Sequence, residues 1–139
     1  FVAKLREKVD AMVMGDPLDE KTDIGTIISP EQFAKVQSYI DHGKGEAGAE
    51  AIECSAMPTD AKFKDGLFVR PVVFLGMTNE SKLAREEIFG PVTCVIKWTD
   101  EEEVLAAAND SDYGLAATVW TNDLKAALNF TEKLEAGFV

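Results

Sequence analysis

The strongest constraint on the fold is an alternation of short β-rich apolar runs with amphipathic helical stretches. Val92 to Trp98 is a β-branched run of the kind found in buried strands. Thr99 or Asp100 then caps a helix running to about Asn109, with acidic residues in its first turn, where the helix dipole favours them. Ser111 to Gly114 turns the chain, and Leu115 to Trp120 reads as another strand. Asn122 or Asp123 starts a last helix with Leu124, Ala127, Leu128, Thr131 and Leu134 on one side and Gly137 as its C-cap. Strand–helix alternation implies α/β architecture with at least partly parallel pairing.

The first part of the chain extends the pattern. Phe1 to Val13 places Phe1, Leu5, Val9 and Met12 on one helical stripe, which Gly15-Asp16-Pro17 stops. Ser29-Pro30-Glu31-Gln32 is a helix start: Ser29 as N-cap, Pro30 at the first position, Gln32 closing a capping box. Phe33, Val36, Tyr39 and Ile40 form the apolar face of that helix, Gly43 ends its regular part, and Gly43 to Gly48 reads as a ragged helical tail. Ala51 to Cys54 reads as a short strand, and Met57 to Gly66 as a loop or turn. Phe68 to Leu75 is a β-rich run interrupted by Pro71, which places Pro71 on an edge or at the start of the strand. Ser81 to Glu86 reads as a short helical turn. With no repeats and no linker, residues 1–139 are expected to form a single partial domain, and Phe1 suggests numbering that starts inside a longer protein.

Charge and residue counts narrow the function. Asp and Glu number 25 against 14 Lys and Arg, a formal net charge of −11. Nucleic acids and anionic membrane surfaces need the opposite balance, so neither is an expected partner. Two cysteines, Cys54 and Cys94, form no CxxC and suggest a reduced, cytoplasmic setting. His42 is the only histidine and no Gly-x-Ser-x-Gly elbow accompanies it, so a serine triad and a metal cluster are both disfavoured. Neither a GxGxxG nor a Walker loop is present.

Several segments, in order, resemble the aldehyde dehydrogenase superfamily. Gly15-Asp16-Pro17-Leu18 with Asp23-Ile24-Gly25 is similar to its "GDPxD…xG" stretch, although Gly25-Thr26 departs from the usual Gly-Pro. Phe68 to Val73 resembles "GYFxxPTV", Asn109 to Ala117 resembles "ANxxxYGLAA", and Leu134 to Gly137 resembles "xxAG". Arg85-Glu86-Glu87-Ile88-Phe89-Gly90-Pro91-Val92 is nearly the family signature.

The resemblance implies a three-layer α/β sandwich with a mostly parallel sheet, here the C-terminal portion of the catalytic domain. It implies oxidation of an aldehyde to a carboxylic acid with NAD or NADP. A cysteine thiolate would form a thiohemiacetal and then a thioester, which glutamate-activated water hydrolyses. By the same pattern the nucleophilic cysteine, general-base glutamate, oxyanion-hole asparagine and dinucleotide-binding domain precede this chain. This segment alone is therefore expected to be inactive and to supply no catalytic residue. Homo-oligomers are the family habit.

Two residues inherit a cofactor role. Glu87 corresponds to the glutamate at the nicotinamide ribose, where two carboxylate oxygens can each accept from one hydroxyl of a vicinal diol. Phe89 resembles the phenylalanine near the nicotinamide ring, although a Phe before Gly-Pro is otherwise an ordinary core residue. Glu86 inherits nothing and reads as structural or exposed. Gly90-Pro91 reads as a tight loop in which Gly supplies an unusual backbone angle. Cys94, inside an apolar β run, reads as a packing residue, as does Cys54. His42 reads as a surface or capping residue, and Trp98 and Trp120 as packed. CoA-acylating or acyl-phosphate-linked reductases of the superfamily, and a non-catalytic structural fragment, are the alternatives.

Overall fold

The computed structural model describes residues 1–139, which divide into two compact units, Phe1–Ile96 and Lys97–Val139. The first unit contains α1 (Val2–Asp10), α2 (Pro30–Gly45), β1 (Glu50–Glu53), a 3-10 turn (Ala61–Phe63), β2 (Val72–Leu75), α3 (Lys82–Arg85) and β3 (Val92–Val95). The second contains α4 (Glu101–Asn109) and α5 (Leu124–Lys133). The α/β class read from the alternation is what forms.

Within the first unit the strands lie in the order β1-β2-β3. β1 runs antiparallel to β2 with Glu50 opposite Leu75, and β2 runs parallel to β3 with Val72 opposite Val92. Pro71 sits immediately before β2 and contributes its carbonyl to the Cys54 amide at 2.8 Å. The missing Pro N–H therefore falls just outside the ladder, which lets β2 be the central strand and not an edge. Phe74 of β2 is fully buried, and Val36, Tyr39 and Ile40 of α2 join Val72, Leu83 and Ile88 in the same apolar cluster.

α2 starts as its sequence dictates. Ser29 is extended (φ −149°, ψ 160°) and its hydroxyl accepts from the Gln32 amide at 3.2 Å, while Pro30 occupies the first turn. Its other end is more regular than the ragged tail expected there. The helix continues through Gly43 to Gly45. A Cβ on Gly43 would lie 2.6 Å from Leu83 Cδ2 and 2.8 Å from the Phe74 ring. Gly43 is thus a close-approach residue for β2 and α3, not a helix terminator.

α1 ends three residues earlier than its apolar stripe suggests. The Val13 amide bonds to the Asp23 carboxylate at 2.9 Å, and the Asp23 amide returns to the Val13 carbonyl at 2.9 Å. Met14 then bridges Ile24 in parallel, so two parts of one sequence motif are held side by side. Tertiary hydrogen bonds there outcompete continued helix.

In the second unit α4 is capped by Asp100, whose Oδ1 accepts from the Glu102 and Glu103 amides at 2.9 Å each. Removing that cap by Asp100→Ala should cost about 1 kcal/mol of local helix stability. In the full-length protein the amides of α4 should then exchange about fivefold faster; unchanged protection would show that packing, not the cap, holds this turn. α5 is capped in the same way by Asp123, which accepts from Lys125 at 2.8 Å. The strand expected at Leu115 to Trp120 does not form: the backbone there has an inter-segment bond from Ala117 N–H to the Phe138 carbonyl at 2.7 Å but no ladder. A strand needs a neighbour of comparable length, and within this unit none is present. Trp120 is 92% exposed and Trp98 about half exposed, neither packed as its sequence context suggested, although the Trp98 ring lies 6.5 Å from that of Phe130. Gly137 caps no helix either. α5 stops at Lys133, and the Gly137 amide donates to Gly114 at 2.7 Å.

Candidate functional site

The signature segment Glu86–Pro91 links α3 to β3. Buried Ser81 sets its start: the hydroxyl caps α3 by accepting from the Leu83 amide at 3.3 Å and donates to the Glu46 carboxylate at 2.8 Å. α3 is only four residues long, and Glu86 already has extended backbone (φ −115°, ψ 147°). The segment rejoins regular structure at Val92, with the Pro91 carbonyl accepting from Val72 N–H of the central strand at 2.8 Å.

Between those ends the side chains divide sharply. Ile88 is 7% exposed and belongs to the core cluster. On either side of it Glu87 is exposed and Phe89 is 74% exposed. Phe89 has φ 54°, in the left-handed region that a bulky residue seldom occupies. Phe89 is therefore not the core residue its apolar character alone would suggest. The unusual backbone angle falls on Phe89 and not on Gly90. Gly90 is required for a different reason: a Cβ there would lie 2.6 and 2.7 Å from the two γ-methyls of fully buried Val36. An open depression of about 350 Å³ beside the segment is lined by Glu86, Ile88, Phe89, Gly90, Val92 and Cys94.

One face of α2 holds the segment in place. Gln32 Nε2 donates to the Ile88 carbonyl at 2.7 Å and to the Phe89 carbonyl at 3.1 Å. Lys35 Nζ donates to the Glu87 carbonyl at 3.2 Å. Tyr39 donates its hydroxyl proton to the Glu86 carboxylate. The Lys35 and Lys82 ammonium groups lie 5.8 and 5.0 Å from the centre of the Tyr39 ring, within cation–π range. Residues 32, 35, 36 and 39 follow the i, i+3, i+4, i+7 spacing of a single helical stripe. Sequence reading missed this role. Gln32 looked like the back-bonding partner of a capping box, and Tyr39 like apolar filler. The available signal was a polar amide in line with Val36 and Tyr39 on an otherwise buried face.

Neither cysteine has the surroundings of an activated thiolate. Cys54 is buried and free, and Cys94 is partly buried and free. Burial raises both thiols above their usual pKa, with Asp10 reinforcing the effect at Cys54 and Glu46 at Cys94. Both therefore stay protonated at neutral pH, the opposite of a reactive thiolate. Cys94→Ala in the full-length protein should leave turnover within about twofold, read by initial rates; a loss of a hundredfold or more would make Cys94 a participant. His42 is exposed near the end of α2, with Nε2 3.4 Å from the Glu46 carboxylate. No helix is long and apolar enough to cross a membrane.

The second unit ties two other sequence motifs together. Asn109 Nδ2 donates to the Lys133 carbonyl at 2.8 Å, and its Oδ1 accepts from the Glu135 amide at 3.0 Å. With the Gly137–Gly114 bond, the "ANxxxYGLAA" and "xxAG" stretches become one hydrogen-bonded corner. Beside it, Trp98, Val104, Val119, Phe130 and Leu134 line an apolar recess of about 350 Å³.

An irregular glutamate–phenylalanine loop held by a helix face, carried on a mixed α/β unit, agrees with a match of residues 1–139 to the model of the aldehyde dehydrogenase family. The chain belongs to that family. It is 46% identical over 137 residues to a betaine aldehyde dehydrogenase of Sinorhizobium fredii and 45% identical to betaine aldehyde dehydrogenase 1 of Rhizobium meliloti, in each case over 99% of this chain. Among solved structures it is similar to HpcC of Thermus thermophilus (42% identity, TM-score 0.90) and to a Staphylococcus aureus betaine aldehyde dehydrogenase in complex with NAD+ (33% identity, TM-score 0.87). Both similarities cover 99% of this chain and 27% of the other. The chain spans about 28% of the length of these curated relatives.

Proposed function

We propose that this chain is the C-terminal part of the catalytic domain of an NAD(P)-dependent aldehyde dehydrogenase that oxidises an aldehyde to a carboxylic acid. Its task is to hold the nicotinamide end of the cofactor through Glu87 and Phe89. Both units belong to that one domain, and the nucleophilic cysteine and general base lie outside residues 1–139. The observation that carries this reading is Phe89: a large aromatic, 74% exposed, kept at φ 54°. Exposure and a left-handed backbone are each unfavourable for Phe, and such outliers persist where the surroundings impose them for a task.

The chemistry of the exposed pair fits the group. Glu87 offers two acceptor oxygens for a vicinal diol, and Phe89 offers an apolar face for a planar ring. When bound, the nicotinamide supplies hydride acceptance. The residues of this chain bind and orient: Glu87 fixes the sugar, Phe89 limits the tilt of the ring and excludes water from one side, and α2 holds both in register. Orientation of this kind lowers the barrier by removing unproductive poses before reaction.

Two free cysteines fit a reducing, cytoplasmic setting. The unpaired outer edges of β1 and β3 fit covering by further sheet or by another subunit of a homo-oligomer. The test is cofactor reduction by the full-length protein across an aldehyde panel that includes betaine aldehyde, the substrate in the names of the relatives above. Aldehyde-dependent NADH or NADPH formation, with none from purified residues 1–139, is expected. Turnover by the segment alone, or no turnover of any aldehyde by the intact protein, would overturn the reading.

A further inference from the structure

We infer that Glu46 is a positioning residue for the cofactor-holding segment, acting through the buried Ser81 hydroxyl. This deepens the reading of Glu87 and Phe89 above and rests on it. Glu46 stands just past the last turn of α2, its amide bonded to the Gly43 carbonyl at 3.2 Å. That is the negative end of the helix dipole, where a carboxylate is disfavoured. Two contacts offset the placement. His42 Nε2 lies 3.4 Å from Glu46 Oε1, and the Ser81 hydroxyl donates to the same oxygen at 2.8 Å. The His42 side chain is half exposed, so water competes with it. Ser81 is 5% exposed, and its bond to Glu46 spans 35 positions of sequence. The hydroxyl is therefore the firmer of the two partners.

Ser81 has one proton to give. Donating it to Glu46 turns the hydroxyl so that a lone pair faces the Leu83 amide, which donates at 3.3 Å. A charged acceptor polarises the hydroxyl and strengthens the bond it accepts in turn. The cap matters more here than in a long helix, because α3 has four residues and few internal bonds to sustain it. Those bonds lead into the signature segment. The Ser81 carbonyl accepts from Ala84 and Arg85 at 2.9 and 3.1 Å, and the Lys82 carbonyl accepts from Glu86 at 3.1 Å. Leu83, buried over Gly43, sets how deep α3 sits. One apolar anchor does not fix rotation about itself, whereas a directional bond at Ser81 does. Glu87 is the first residue beyond the last bond of α3, so a rotation of α3 swings the Glu87 carboxylate directly.

The experiment uses the full-length enzyme. Glu46→Leu removes the acceptor at similar volume, Ser81→Ala removes the donor, and Glu46→Gln removes the charge but keeps an oxygen for the hydroxyl. KM for NAD should rise about fivefold in Glu46→Leu and in Ser81→Ala, and the fluorescence of bound NADH should shift in both. Glu46→Gln should stay within twofold of the unaltered enzyme, and KM for aldehyde should stay within twofold throughout. Glu46→Leu combined with Ser81→Ala should be no worse than the worse single change, because both break one bond. Equal impairment of Glu46→Gln and Glu46→Leu would mean that charge acts and not the bond to Ser81, and overturns the inference. Multiplied effects in the double variant overturn it too. So does a lowered thermal midpoint with both KM values unchanged or raised together, the behaviour of a merely structural residue. Glu87→Gln is measured alongside. If it is impaired while Glu46→Leu and Ser81→Ala keep the unaltered KM for NAD, the inference fails and the reading of Glu87 stands. An unimpaired Glu87→Gln overturns both. Should Glu46→Leu fail to fold, Ser81→Ala decides alone: an unchanged KM for NAD overturns the inference.

Discussion

Glu87→Gln in the full-length enzyme should slow hydride transfer about tenfold. The exposed Glu87 carboxylate sits next to core-anchored Ile88, so the side chain projects from a fixed point and not from a mobile tail. Hydrogen bonds to a charged acceptor are worth about 1 to 1.5 kcal/mol more than neutral ones. The amide keeps one neutral oxygen acceptor and replaces the other with a donor, so it can no longer offer a charged oxygen to each hydroxyl of a diol. The ribose is then free to swing, and fewer bound molecules present the ring correctly. A single-turnover burst measured with saturating NAD separates this from weaker binding. A rate equal to that of the unaltered enzyme would remove Glu87 from the nicotinamide site. Glu86→Gln is the matched control. Its carboxylate is engaged by Tyr39 and its loss should affect the burst less than twofold.

Gly90→Ala should destabilise the protein by about 1 to 3 kcal/mol and raise KM for NAD in the same variant. The new methyl would meet Val36 at 2.6 and 2.7 Å, and Val36 is fully buried on the helix face that carries Gln32, Lys35 and Tyr39. The loop has to lift or the helix has to move, and either change stretches the two bonds from Gln32. Val36→Ala removes the offending methyls. Combining it with Gly90→Ala should therefore be less damaging than the sum of the single changes, a coupling expected only for residues in direct contact. Thermal midpoints of the four proteins give the answer, and strict additivity would show that the close approach of loop and helix is not what requires glycine here.

These two residues also show where sequence reading succeeds and where it stops. The Glu-Ile-Phe-Gly-Pro motif is legible because its residue types are unusual in combination, and it brought Glu87 and Phe89 forward as a pair. The same motif misassigned the strained position. Glycine is the general carrier of odd backbone angles, yet the odd angle belongs to Phe89 and Gly90 answers to a methyl group 54 residues earlier. Nothing local in the sequence distinguishes those two reasons for a glycine. Gln32 was hidden for a similar cause: its backbone does fit the capping pattern, and only the folded chain shows that its side chain is spent elsewhere. Leu115 to Trp120 has every local mark of a strand, but a strand depends on a partner outside itself.

By itself the sequence determined the order and kind of most elements, the helix start at Ser29 and those near residues 100 and 123 to within one residue, and the family to which the chain belongs. Those depend on interactions within a few residues or on a motif read in order. Tertiary structure alone decided where α1 and α2 end, which residue bears the left-handed turn, and which face of α2 grips the signature segment. Each of those is settled by contacts between residues far apart in the chain, where a bonded carboxylate, a buried methyl or a side-chain amide outweighs the local preference.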